Sequence, residues 1–439
     1  MNKPLVLVTA PVRTRSGYGN HSRDICTALI NSDKYNVMIN NCRWGGTPMT
    51  ALEEGNPQHD EIKKRLLTSP ELPQQPDLHI HIVIPNEFQP IGKKNMGITA
   101  GIETTIPMPS WIDGANKMDT TIFTSEFTKT CFDAAEFEDG KTKRIVKYNK
   151  PASVLFGGID TDTYKETRKF SDEVTEVFDG IDSDWNFLFV GHWLSGTLGK
   201  DRKDIGMLIK VFLESFKNQK NPPNLILKTS GADFSILDRE DVLTKIKHLK
   251  DSVNGVLPNI YLIHGDFTDS QMNELYNHPK VKAHITFTHG EGFGRPLLEA
   301  CQSGKPVIAP DWSGQVDFLD KNYATLLPGS LVQVPQGAFN KDIFFESPDN
   351  KWFTVNYNVA SQVMKDVHKN YTKYMVKAKQ LKVVTSTKFS LQKMQDKLIT
   401  EVDNLLKDVP KSVELKLPKL NKVDDKKTDG IKLPKLKKV

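Results

Sequence analysis

Residues 288–310 read THGEGFGRPLLEACQSGKPVIAP, and the organisation of the whole chain can be worked outward from them. An apolar run ending near Thr288 feeds a turn with glycine at 290, 292 and 294. Pro296 suits the first position of a helix, and Gly304 with Pro306 stops that helix before a second apolar run, Pro306–Ala309. Strand, glycine-rich turn, helix and strand in that order form the repeating unit of a parallel sheet covered by helices. Glycines ahead of a helix N-terminus let backbone N–H groups approach an anion, and the helix dipole favours negative charge there. Glu291 and Glu299 bracket the turn, and carboxylates, being pure acceptors, suit ribose or sugar hydroxyls. The same spacing also fits a plain strand–helix turn with surface glutamates.

The alternation continues in both directions. Leu5–Thr9, Val37–Asn41, Leu78–Ile84, Thr120–Thr124, Phe187–Val190, Leu225–Thr229, Ile260–His264 and Ala283–Phe287 read as strands. Asn20–Ile30, Asp204–Phe216, Ser270–Tyr276 and Pro296–Gln302 carry helical spacing between them. So many strands exceed one compact sheet, which predicts an α/β fold of two doubly wound, Rossmann-like domains facing across a cleft. The polar, acidic stretch between Phe156 and Trp185 is the expected junction. We therefore expect a first domain with linker over 1–180 and a second over 181–385. Two amphipathic helices follow, Val359–Leu381 and Leu391–Leu406, the latter (386–410) crossing back to the first domain. A lysine-rich tail occupies 411–439.

Composition excludes several classes. With 26% charged and 38% hydrophobic residues in 439, the chain is neither collagen, coiled coil nor wholly disordered. No apolar run approaches the ~18–20 residues that span a bilayer, so no integral membrane contact is expected. The N-terminal MNKPLVLVTAPV reads as a first strand and not a signal peptide. Cys26, Cys42, Cys131 and Cys301 are widely spaced without a CxxC, which predicts free thiols in a reducing cytoplasm and no zinc site. The tail repeats itself, LKLPKLNKV (415–423) and IKLPKLKKV (431–439), and carries a net charge of +6. Since the total is +5, the remaining residues sum to about −1. Lysines interrupted by prolines cannot build a core of their own; such a tail suits a polyanion such as DNA, anionic lipid or a partner protein, or serves only solubility.

Other motifs are weaker or missing. In FLFVGHWLSGTLGKDRKDIG (187–206), Arg202 and Lys203 stand at the start of a helix above strand ends, where open α/β sheets bind ligands. Adjacent basic residues are elsewhere ordinary solvated charges. Ser16-Gly17-Tyr18-Gly19 begins like a dinucleotide fingerprint, but Ser22 replaces the third glycine, which disfavours NAD. Gly304-Lys305 is followed by proline and not Ser or Thr, so there is no P-loop there, and neither HExxH nor GxSxG occurs. His79 and His81 alternate in HIHIVI as on one face of a strand, without a third metal ligand.

Taken in order, these stretches resemble the retaining GT-B-fold glycosyltransferases of family four. Glu291-GFGRPLL-Glu299 followed by GKPVIA matches the family's E-x7-E element. FLFVG…DRKDIG is similar to its strand–glycine–Arg-Lys-Gly element. Residues 96–132, with Glu103, Pro107 and Trp111 ahead of a strand ending in Ser125, and VLFGGID (154–160) resemble a third block. The resemblance implies a hexosyl- or pentosyltransferase that uses a nucleotide sugar, with a UDP-sugar the expected donor and no cofactor or metal. It implies that Arg202 and Lys203 hold the donor diphosphate and that backbone N–H groups of Gly292, Phe293 and Gly294 assist. Glu291 would contact the donor sugar, Glu299 would accept from ribose hydroxyls, and Gly17 and Gly19 would let the N-terminal loop approach the phosphates.

Two departures stand out. His192 replaces the arginine common after the FVG strand, and is either a site residue or merely partnered to a backbone carbonyl. Glu103 occupies the region where other members carry a histidine near the reacting sugar; it suits an acceptor hydroxyl or a structural ion pair. The acceptor is expected to be a polyanion such as DNA carrying hydroxymethylated pyrimidines, tethered through the tail. Glycan, lipid or protein acceptors are the alternative. Remoter alternatives are a nucleotide-sugar epimerase or a non-catalytic binding module.

Overall fold

A computed structural model describes residues 3–409 apart from 70, 73, 139, 195–197, 232 and 339–343. The KLPKL repeat therefore lies outside the described residues. Eight strands belong to the first half: β1 (Leu5–Ala10), β2 (Asn36–Asn41), β3 (Leu78–Ile82), β4 (Lys94–Thr99), β5 (Thr120–Phe123), β6 (Glu136–Glu138), β7 (Ile145–Lys147) and β8 (Ala152–Val154). Six of them form a sheet in the order β2-β1-β3-β4-β5-β8, every pair parallel, while β6 and β7 make a separate antiparallel hairpin. The LVLVTA of β1 is buried along its whole length, the pattern of a strand covered on both faces.

A second sheet holds β9 (Asn186–Val190), β10 (Asn224–Lys228), β11 (Ile260–Ile263), β12 (Val281–Ile285), β13 (Val307–Pro310) and β14 (Thr325–Leu327). Its order is β11-β10-β9-β12-β13-β14, again all parallel, so each half is a doubly wound unit as the strand–helix alternation predicts. The side-chain period of two divides its core: Phe187 and Phe189 pack on one face, Leu188 on the other. Beyond β14 an antiparallel hairpin, β15 (Gly329–Gln333) with β16 (Lys351–Val355), projects toward the first half.

Helices cover both sheets. The first carries α1 (Gly17–Asn31), α2 (Pro57–Lys63), α3 (Pro109–Ala115) and α4 (Glu126–Ala134). The second carries α5 (Asp172–Asp179), α6 (Ile205–Phe216), α7 (Ile236–Asp251), α8 (Asp269–Asn277) and α9 (Arg295–Cys301). Val174 and Phe178 of α5 are buried with Tyr276 and Leu298 in the second core. Local chemistry sets the helix starts: Ser16 and Ser125 cap α1 and α4, and Thr268 with Gln271 closes a reciprocal capping box on α8.

Three helices end the described chain where two are expected: α10 (Tyr357–Lys369), α11 (Tyr371–Lys388) and α12 (Leu391–Leu406). The predicted Val359–Leu381 helix breaks at Asn370, which leaves helical geometry at φ −114° and ψ 35° while its N–H still donates to the Asp366 carbonyl at 2.7 Å and closes α10. Met394, Leu398 and Val402 of α12 are fully buried in the core of the first sheet. Each such apolar side chain contributes about 1.5–3 kcal/mol of burial, which holds the C-terminal helix against the first half. Strand β4 escapes the sequence reading because Gly97 interrupts its apolar run. A β-carbon there would sit 2.4 Å from the Phe88 ring, so the glycine marks a close approach within the sheet and not a turn.

Candidate active site

The order of the second sheet reverses at β9, leaving a crevice where the loops after β9 and β12 diverge. The first loop ends in the turn Asp201–Asp204. Asp201 closes it, accepting from the Asp204 N–H through its carbonyl (2.8 Å) and from the Ile205 N–H through its carboxylate (3.0 Å). Arg202 and Lys203 are thereby presented into the crevice beside the 288–294 loop. The His289 N–H donates to the Arg202 carbonyl at 2.9 Å and ties the two loops together.

Four charged side chains meet there. Arg202 lies 2.7 Å from Glu103 Oε1 of the opposite domain and 3.9 Å from Glu291 Oε2, and its guanidinium donates to the Gly290 carbonyl at 3.3 Å. Lys203 is paired with Glu291. All four are largely buried, between 11% and 25% exposed at the side chain, so their charges interact with little screening. Burial pushes the Glu103 carboxyl up, against the pull of Arg202. For Glu291 burial is outweighed by Lys203 and Arg202, which hold it below the usual carboxylate range.

The glycines of the turn admit backbone. A β-carbon on Gly290 would lie 2.1 Å from the Glu103 carbonyl oxygen, and one on Gly292 would lie 2.3 Å from that of Ala100. The two domains thus touch main chain to main chain, and Thr124 Oγ1 donates to the Gly292 carbonyl at 3.3 Å. Gly294 starts α9 with φ of 92°, a left-handed conformation that glycine holds without strain. Phe293 turns its ring away into the core, 5.1 Å from Phe318.

Glu299 stands apart from this cluster. It is buried on α9, where Arg295 Nε lies 3.0 Å from it and the Tyr276 hydroxyl donates to it at 3.3 Å. Arg295 continues to Asp24 of α1 at 2.6 Å, closing a second bridge between the domains. Burial, opposed by Arg295, pushes Glu299 up to about 7. At the N-terminal loop, a β-carbon on Gly17 would meet nothing within 4 Å, so the helix start is open there. Gly19 instead makes room for the Thr14 carbonyl, which a β-carbon would approach to 2.1 Å.

His192 Nδ1 lies 3.1 Å from the Ser230 hydroxyl, a side-chain partner and not the backbone carbonyl the sequence suggested. His79 and His81 are buried side by side on β3, with Thr9 and Gln89 as their partners. Among the described residues no group of three His, Cys, Asp or Glu is gathered for a metal ion.

Other side chains at the crevice belong to no motif. Arg15 reaches across to Asp266 (3.1 Å) while also pairing with Glu53. Lys228, at the end of β10, donates to the Gly265 carbonyl at 2.5 Å and lies over the Phe267 ring; burial pushes it down to about 8. Asp24, paired with Arg295 from within the E-x7-E element, completes the set. Their positions in sequence carry no shared spacing, and only the topology brings them to one place.

No protein-family model and no curated protein matches the sequence. Solved structures do match the fold. HepE of Anabaena, in complex with UDP-glucose, superposes with a TM-score of 0.61 at 14% identity, over 91% of this chain and 100% of that one. A glycosyltransferase from Rickettsia africae gives 0.60 at 14% identity over 93% and 100%, and the sucrose-phosphate synthase of Thermosynechococcus elongatus 0.60 at 12% over 92% and 100%. Two parallel six-stranded sheets, aligned across the full length of such proteins, define the GT-B fold.

Proposed function

We propose that this chain is a glycosyltransferase, moving a sugar from a nucleotide-sugar donor, a UDP-sugar foremost, to an acceptor hydroxyl. The observation that carries the reading is the convergence of Arg202, Lys203, Glu291 and Glu103 at the switch point of the second sheet, facing the first. A fold shared with HepE, solved in complex with UDP-glucose, supports that donor class.

In this reading the donor diphosphate takes the place of Glu103 on Arg202 and sits against Lys203. The bond from the anomeric carbon to the diphosphate breaks, and its electron pair leaves with the phosphate oxygen, whose growing charge the two cations stabilise. The acceptor oxygen bonds the same carbon on the face the phosphate leaves, and the acceptor proton passes to that departing oxygen, so configuration is retained. Glu291 holds Lys203 in place and faces the donor sugar. Glu103, released from Arg202, turns to the acceptor hydroxyl. Closure of the domains, already drawn together at Gly290 and Gly292, keeps water from competing. Arg202 and Lys203 supply the charge stabilisation without a divalent ion.

The lysine-rich tail supports a polyanionic acceptor, DNA carrying hydroxymethylated pyrimidines, held by phosphate contacts that read no sequence. The four free cysteines and the lack of any membrane-spanning helix among the described residues suit a reaction in the cytoplasm. The test is nucleoside diphosphate release from a panel of nucleotide sugars, with and without hydroxymethylcytosine DNA, followed by mass spectrometry of the DNA. Release from one donor, stimulated by the DNA and accompanied by a sugar-sized mass gain on the base, is the expected result. Release that ignores the DNA leaves donor transfer standing and discards this acceptor; no release from any donor overturns the reading.

A further inference from the structure

The residue after the cation pair is under backbone strain. Asp204 adopts φ 50° and ψ 37°, the left-handed region in which a β-carbon is unfavourable and glycine is free. Its carboxyl is nonetheless completely buried. The Tyr357 hydroxyl, at the start of α10, donates to Asp204 Oδ2 at 2.7 Å. Asp204 Oδ1 lies 3.7 Å from Nε2 of His289. His289 Nδ1 is 2.7 Å from the Phe353 carbonyl, which can only accept, so the ring proton sits on Nδ1 and Nε2 turns its lone pair to Asp204. The same ring stacks on Trp352 at 3.8 Å, and the Phe353 N–H donates to the His289 carbonyl at 3.0 Å.

The carboxyl thus ties the Arg202–Lys203 turn by one hydrogen bond to the start of α10, directly after the hairpin strand β16, and abuts the glycine-rich loop at His289, which is itself bonded to β16 at Phe353. The far end of that strand grips the first domain. The Thr105 N–H donates to the Lys351 carbonyl (2.8 Å), the Lys351 N–H donates to Thr105 Oγ1 (2.9 Å), and Asn350 accepts from the Ile106 N–H at 3.1 Å. Thr105 is two residues from Glu103, the partner of Arg202.

We propose that Asp204 is a positioning residue for sugar transfer: it pins the Arg202–Lys203 turn to the β15–β16 hairpin, so that the hairpin's grip on the first domain and the alignment of the two cations form one event. Asp204 touches no substrate; it acts through Arg202 and Lys203, and the inference rests on the donor site proposed above. Strain at Asp204 persists because a glycine, free of strain, has no carboxyl to make the connection.

The decisive variant is Asp204→Gly, which relieves the backbone and removes only the connection. Thermal melting, UDP binding by calorimetry and steady-state diphosphate release are measured on the full chain, with Arg202→Ala in parallel. The expected result is a melting temperature at or above that of the wild type with kcat lowered about tenfold or more and donor KM changed much less. Asp204→Asn, which still accepts from Tyr357, recovers most of the turnover. Wild-type kcat and KM in Asp204→Gly overturn the inference. Should that variant fail to fold, Tyr357→Phe decides the matter: a several-fold fall in kcat supports the connection, unchanged kinetics overturn it. Failure of the donor site itself is distinguishable, because Arg202→Ala would then release diphosphate as fast as the wild type.

Discussion

The crevices of the two sheets are built in different ways. The second gathers its charged groups from two contiguous turns, Asp201–Asp204 and Thr288–Gly294, each following one strand of the switch point. The first sheet contributes single residues from distant places: Arg15 after β1, Tyr18 and Asp24 on α1, and Glu103 after β4. A site made of contiguous turns draws its groups together by local backbone geometry, and the hairpin that reaches the first domain has only to align them. One made of scattered residues exists only when the sheet is assembled and the cleft is shut. We read the first as the arrangement suited to a donor of fixed chemistry and the second as the one open to variation among acceptors.

Removing a cation from the contiguous site should have the largest effect. Arg202→Ala is expected to lower diphosphate release about 10²–10³-fold, as loss of a group aimed at developing charge does, and wild-type rates would dissolve the distinction between the crevices. Next in size is the apolar anchor. Leu398→Ala, in the part of α12 that fills the first core, should cost about 2–5 kcal/mol in urea unfolding. A cost below 1 kcal/mol would mean that α12 does not hold the first domain.

Glu103 sharpens the comparison. Glu103→Gln frees Arg202 from its carboxylate partner, so UDP should bind several-fold more tightly while turnover with acceptor falls about tenfold. Weaker UDP binding would instead place Glu103 among the groups that hold the donor.

The pH dependence of stability tests the buried carboxyls on the donor side. Burial pushes Asp204 up from 3.8 to about 8, so the folded protein keeps a proton there that the unfolded chain releases. Its contribution is complete below pH 3.8 and is lost as pH rises toward about 8, with a slope of at most about 1.4 kcal/mol per pH unit. Glu299 acts with the same sign between 4.5 and about 7. Asp204→Asn should remove its share of that decline, so unfolding free energies of variant and wild type diverge as pH rises from 4 to 8; parallel curves would show Asp204 ionised in the fold. The smallest effect is expected at Asp403 of α12, a half-buried partner of Lys34 and of the Tyr35 hydroxyl. Asp403→Asn should shift stability by less than about 1 kcal/mol, confirming in denaturant melts that the anchor is apolar.

The alternation of apolar runs with helical spacing is a local property, and so are the glycine turn before Pro296 and the adjacency of Arg202 and Lys203. Residues within one turn of backbone need no tertiary contact to be read together, and from them the doubly wound class and the Arg202, Lys203 and Glu291 groups of the second crevice were legible, while Lys228 was not. What the glycines serve was not. Gly19 makes room for Thr14, and Gly290 and Gly292 for the opposite domain's main chain; a motif shows that a β-carbon is excluded, never by what. The pairings of Arg202 with Glu103, Arg295 with Asp24 and Asp204 with Tyr357 join residues 99, 271 and 153 positions apart. No spacing encodes such pairs, because each depends on how strands are ordered within a sheet and how two sheets close on one another. Sequence alone thus determined the charged groups of the two turns that follow β9 and β12, because they are local, and the tertiary structure alone decided which partners neutralise them and which hairpin holds them in line.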